Sequence, residues 1–213
     1  MKNTFLKILG LVCLSTYLLQ AQNMVNYNLN GMVVQGEASG GSVVSDDIAL
    51  GFGLGYDFPF ANPRFEFAVK LDYLWINLDY IADENPTNIS IMRGTMNQFS
   101  ASGGLNIYLN NSHNVANLYQ PFRPYMQILT GIIAQSNSLE TSGNFNFPSV
   151  DGFLILPVVE LGGGAKVRIN PQWSLNFNIG FRTTFSDDID GLIGSTASPD
   201  IMGILRMGVS KRL

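Results

Sequence analysis

The chain is short of the residue types that build most active sites. It has one cysteine, Cys13, and one histidine, His113. Charged residues make up only 13% of the 213 positions, against about a quarter in ordinary soluble domains. No stretch after residue 21 is apolar for long enough to cross a membrane as a helix. Low charge without a long apolar run fits strands of which every second residue faces lipid. The length suits one domain.

Residues 1–21 have the features of a secretion signal. Lys2 and Lys7 form a positive start, Ile8 to Leu19 an apolar stretch, and Ala21 a plausible cleavage end before Gln22. The expected organisation is a signal peptide over 1–21 and a single barrel domain over 22–213. Cleavage removes two lysines and no acid, taking the net charge from −4 to −6. An acidic mature chain argues against nucleic acid as a partner. Cys13 follows Val12, not the small residue that lipoprotein processing requires. The mature chain then has no thiol for disulfides or thiolate metal sites.

What the sequence does have is alternation. In Leu161 to Leu192, Asn170-Pro171-Gln172 marks a turn, because proline fixes φ and removes a donor. After it Trp173, Leu175, Phe177, Ile179, Phe181 and Phe185 share one strand face. Ser174, Asn176, Asn178, Gly180, Arg182, Thr184 and Ser186 share the other. Before the turn, Leu161, Ala165, Val167 and Ile169 alternate with Glu160, Lys166 and Arg168. Large aromatics line the apolar face throughout. With a secretion signal in front, this predicts a barrel that is greasy towards lipid and polar inside.

The same period marks strands at Val25–Gln35, Ile48–Phe58, Arg64–Leu78, Gly94–Leu109 and Phe122–Gln135, then the hairpin, then Asp200 to the terminus. The expectation is an all-β, eight-stranded antiparallel transmembrane barrel of outer-membrane type, its polar lumen filled. The alternating glycines Gly51, Gly53 and Gly55 lack the dinucleotide fingerprint and a following helix; they read as small inward residues beside bulky lumen neighbours. Asn77 to Arg93, Ser136 to Gly152 and Ser186 to Pro199 read as loops. Asn88-Ile89-Ser90 is a glycosylation sequon by letter and reads as chance. An even strand number places both termini on one side, expected to be periplasmic. The acids outside the lumen then gather at the outer end, from Glu37 to Asp200.

An eight-stranded interior is only wide enough to be filled by side chains. The inward charged set is Glu66, Lys70, Asp72, Glu160, Lys166, Arg168, Arg182 and Arg206. Isolated buried charges are costly, so these are expected to pair in a structural network. A proton or solute path is the functional alternative. No catalytic, cofactor or metal residue is assigned. His113 falls on a predicted periplasmic turn, away from where a serine–histidine hydrolase would meet lipid. Asp187, Asp188 and Asp190 lack the spacing of a calcium loop and read as a solvated acidic segment.

The hairpin resembles PorG and its relatives, the outer-membrane barrel component of the type IX secretion system of Bacteroidetes. Gly162, Gly164, Lys166, Asn170, Trp173, Leu175, Gly180, Arg182, Thr184, Phe185, Asp187 and Asp190 carry the resemblance, with Ser186 in place of a threonine; Phe122-Arg123-Pro124-Tyr125 adds to it. The match covers about a third of the chain. The opening segment Asn23 to Ala38 and the final Leu213 depart from the family's pattern. The resemblance implies a non-enzymatic component of protein secretion that contacts a periplasmic lipoprotein ring. The alternative reading is a small OmpA/OmpX-like surface barrel, working through its outer loops in adhesion or envelope integrity. A lipid-modifying outer-membrane enzyme comes third. Outer-membrane lipid is a partner under all three.

Overall fold

The computed structural model describes residues 23–35, 48–85, 88–110, 121–142, 152–185 and 201–213. Residues 1–21, read above as a secretion signal, together with His113 and Asp187 to Asp190, lie outside these. Eight antiparallel strands close on themselves in sequence order: β1 Met24–Gln35, β2 Ile48–Pro59, β3 Phe65–Asn85, β4 Asn88–Tyr108, β5 Phe122–Ser142, β6 Gly152–Arg168, β7 Trp173–Thr184 and β8 Ile201–Arg212. Closure is made by β1 and β8, from Met24 opposite Arg212 to Gln35 opposite Ile201. Closure leaves no unpaired sheet edge around the wall, which a spanning sheet requires. The two described ends lie side by side, the Leu213 amide donating to the Asn23 carbonyl at 3.0 Å.

The alternation resolves as the sequence predicts. Tyr27, Leu29, Phe52, Leu54, Trp75, Phe99, Ile128, Phe181 and Leu205 are exposed on the outer wall, Leu29 at 74%. Asp72, Glu160, Arg182 and Arg206 are at most 1% exposed. Such an inversion is stable only where the surrounding solvent is apolar.

Four strands run further than the alternation suggested. Of the segment read as a loop from Asn77 to Arg93, residues 77–85 end β3 and residues 88–93 open β4; β5 continues to Ser142, into the segment read as a loop from Ser136 to Gly152, and β6 begins at Gly152 rather than at Leu161. The acids and Pro86 signalled a loop, but a ladder above an apolar band can carry polar residues without penalty. Asn88-Ile89-Ser90 therefore opens β4. Pairing of β3 with β2 stops at Ile76 opposite Ala49, while β3 and β4 stay paired to Asn85 opposite Asn88. A β3–β4–β5 blade thus rises beyond the short strands, by about 30 Å at ~3.3 Å per residue.

The lumen is polar for most of its length, with an apolar layer towards the loop end. Met32, Ala49, Leu74, Ile76, Met96, Ile133, Leu156, Val158 and Met202 point inward there and pack on one another. Inward glycines make room where the filling is tightest. A Cβ on Gly53 would fall 2.3 Å from the Asp72 carboxylate, and one on Gly164 would fall 2.7 Å from the Tyr125 ring and hydroxyl.

Candidate functional site: an ion-paired lumen

Seven of the eight charged residues expected in the lumen are there, in two groups along the axis. Nearer the termini, the Lys166 ammonium lies 2.7 Å from both the Asp57 and the Glu66 carboxylates. Arg123 reaches the second Glu66 oxygen at 3.2 Å. The Tyr108 hydroxyl donates to Glu66, and the Arg123 guanidinium lies 3.7 Å from the centre of the Tyr108 ring. Asn26 donates to Asp57 at 2.8 Å. The ladder registers bring these groups together from four strands: Asp57 on β2 lies two residues from Pro59, which pairs with Glu66 on β3, and Arg123 on β5 pairs with Lys166 on β6.

The second group is a four-membered square. Arg206 binds Asp72 at 2.7 Å and grips both oxygens of Glu160. Arg182 contacts the same two carboxylates at 3.2 Å each and donates to Gln98 at 3.3 Å. Each carboxylate therefore meets two guanidiniums, and Asn30 donates to the remaining Asp72 oxygen at 2.9 Å. Charge-assisted, fork-shaped contacts of this kind satisfy the lone pairs that make buried carboxylates costly. Lys70 joins the groups, donating to Gln127 at 2.7 Å; Asn178 donates to the same oxygen and accepts from Arg206 at 3.1 Å.

Arg168 lies at the rim of the barrel. It lies half-exposed at the end of β6, and its Nε donates to the turn carbonyl of Asn170 at 3.2 Å. Its place in the inward set came from strand parity alone, and parity does not say how near the rim a residue lies. Sequence reasoning also missed Asp57 and Arg123. Asp57 has the inward parity of β2. Arg123 precedes Pro124, where the apolar alternation is weak, and its pairing with Glu66 spans 57 positions.

Chemically, this is a filled interior. All four carboxylates are held by cations, so none stands open as a general base beside a substrate. Two cavities, of about 430 and 420 Å³, lie on the outer wall around Gly31 and Gly203 and around Leu29 and Met207. Their linings are apolar, as the lipid-facing band requires.

No protein-family model matches the chain, and no curated protein matches it in sequence. Its fold is similar to several solved outer-membrane barrels. Neisserial surface protein A superposes with a TM-score of 0.52 at 14% identity, over 90% of this chain and 97% of that one. Ail, the attachment invasion locus protein of Yersinia pestis, gives 0.52 at 11% identity, over 91% and 99%. A major outer membrane protein from Thermus thermophilus gives 0.51 at 12% identity, over 90% and 99%. At these identities the likeness is one of fold. The chain is an eight-stranded barrel of the outer-membrane type.

Proposed function

We propose that the chain is a non-enzymatic outer-membrane surface barrel that works through its loop end, in adhesion or envelope integrity. The observation that carries this reading is the division of the molecule. The lumen is closed by ion pairs and an apolar layer, while β3, β4 and β5 project beyond the wall. A closed interior leaves the ends as the working surfaces. In this reading the termini face the periplasm and the blade faces outward. The names of two neighbours, a surface protein and an attachment invasion protein, agree with it. The test is to replace residues 78–92 with a short turn. The barrel should still fold, and cell attachment or detergent resistance of the envelope should fall to the level of a full deletion. Native attachment and resistance in the truncated strain, against a clear defect in the full deletion, would overturn the proposal.

The β6–β7 hairpin supports a second reading, a structural component of type IX secretion that touches periplasmic lipoprotein ring proteins. Gly162, Gly164, Lys166, Trp173, Gly180 and Arg182 carry it. Deletion should then abolish release of cargo bearing the system's C-terminal signal, and the barrel should co-purify with ring proteins. Normal cargo release rules this reading out.

A further inference from the structure

Each inward asparagine of β1 is left with an unbonded oxygen. Asn26, Asn28 and Asn30 are buried in the lumen. The side-chain amides of Asn26 and Asn30 donate to Asp57 and Asp72. No donor among the described residues reaches the Oδ1 of any of the three, or that of Asn23 at the termini end. Their neighbours on β8 are in the same state. Ser210, opposite Asn26, has an unpartnered hydroxyl, and Arg206, opposite Asn30, has an unpartnered Nε. At the second of these pairs an acceptor and a donor sit on adjoining strands without bonding each other. On β4, Ser100 and Ser102 stand opposite Asp72 and Lys70 with unpartnered hydroxyls.

A buried polar atom left unbonded is costly, and native proteins pair nearly all of theirs, using water where side chains do not reach. Water is the ligand that this pattern fits. One molecule can donate to an asparagine oxygen and accept from a guanidinium, and a buried water makes about three such bonds. The positions beside the column add no side chain to it: they are Gly51, Gly53 and Gly55 on β2 and Gly208 on β8. The polar column then ends abruptly. The next inward residue of β1 is Met32, and beyond Arg206 on β8 come Ile204 and Met202, all buried. Met32 and Met202 pack with Leu74, Ile76 and Met96 in the apolar layer. A narrow apolar constriction excludes water by dewetting.

We propose that β1 and β8 hold a file of bound water, which runs from the termini end to the Arg206–Asp72 pair and stops short of Met32 and Met202. The lumen is then a half-channel, hydrated from the termini end, with the apolar layer as its seal to water. The file draws on the lumen alone, so it stands whichever of the two functional readings holds.

The test uses the refolded barrel in phosphatidylcholine bilayers and has two parts. In nanodiscs, NMR magnetisation transfer from water should reach the β-protons of Asn28 and Asn30, and the methyls of Met32, Met96 and Met202 should receive none. Silence at Asn28 and Asn30 overturns the file, and equal transfer to the three methionine methyls overturns the seal. In vesicles, the native barrel should hold a pH step as long as protein-free lipid does. M32S/M202S should dissipate the step about tenfold faster, the factor that ~1.4 kcal/mol off a barrier gives. Should the double variant fail the heat-dependent gel shift that reports folding, M202S alone should leak faster than the native protein. A folded variant as tight as the native barrel overturns the seal, as does a leak through the native barrel itself.

Discussion

Arg206 is the side chain on which the interior turns. It touches both carboxylates of the square, and its loss leaves Asp72 and Glu160 sharing Arg182 alone. Breaking a buried ion pair by removing one partner typically costs ~3–5 kcal/mol. Arg206→Met should therefore lower the free energy of unfolding in detergent micelles by about that much, read from guanidinium titration. Lys70→Met is the contrast. Lys70 is held by the amide oxygen of Gln127 rather than by a carboxylate, and the lumen group has one more cation than carboxylates. Its removal should cost less than ~1 kcal/mol, the scale of one hydrogen bond. Similar losses in the two variants would mean that the ion pairs are not what holds the interior. Arg93→Leu, a change in the projecting hairpin, should stay within about 0.5 kcal/mol of the native chain. At this scale the sequence is readable in parity and silent in register. Strand alternation marks Asp72, Glu160, Arg182 and Arg206 as inward. It does not say that Asp57 meets Lys166 across 109 positions.

At the scale of the strand, the two faces predict opposite tolerances. A charge on the lipid face near the middle of the wall costs ~2–4 kcal/mol. Leu29→Arg should fall in that range by titration in lipid vesicles, while Leu29→Phe should be near neutral. Glycines separate in the same way. The outer side of Gly31 is open, with nothing within 4 Å of an added Cβ, whereas Gly164 is filled by the Tyr125 ring. Gly31→Ala should fold like the native chain. Gly164→Val should lose the folded, heat-shifted band on gels, since backbone and a buried ring bound the site on both sides. Strand ends are where the sequence was least legible. Within the apolar band, lipid enforces alternation. Beyond it the period loses its cause, and residues 77–85 and 88–93 have the composition of a loop while pairing as strands.

On the scale of the whole molecule, charge and polarity are sorted along the axis. Ion pairs fill the lumen from the termini end to the middle, and an apolar layer follows towards the loop end. The barrel class was legible because an all-apolar face backed by charges has few other stable solutions. The apolar inner layer was not, because Leu74, Ile76 and Met202 look the same in sequence whether they face lipid or one another.

Those residues also give the sharpest test of the central claim, which is that strand parity, and not hydrophobicity, decides what touches lipid. A lipid carrying a photoactivatable carbene in mid-chain, incorporated with the refolded barrel and read by peptide mass spectrometry, should label Leu71, Tyr73 and Trp75 on β3. It should spare Lys70, Asp72 and the equally apolar Leu74 and Ile76. Labelling of Leu74 and Ile76 at the level of Trp75, or labelling of Asp72 with Trp75 spared, contradicts the account.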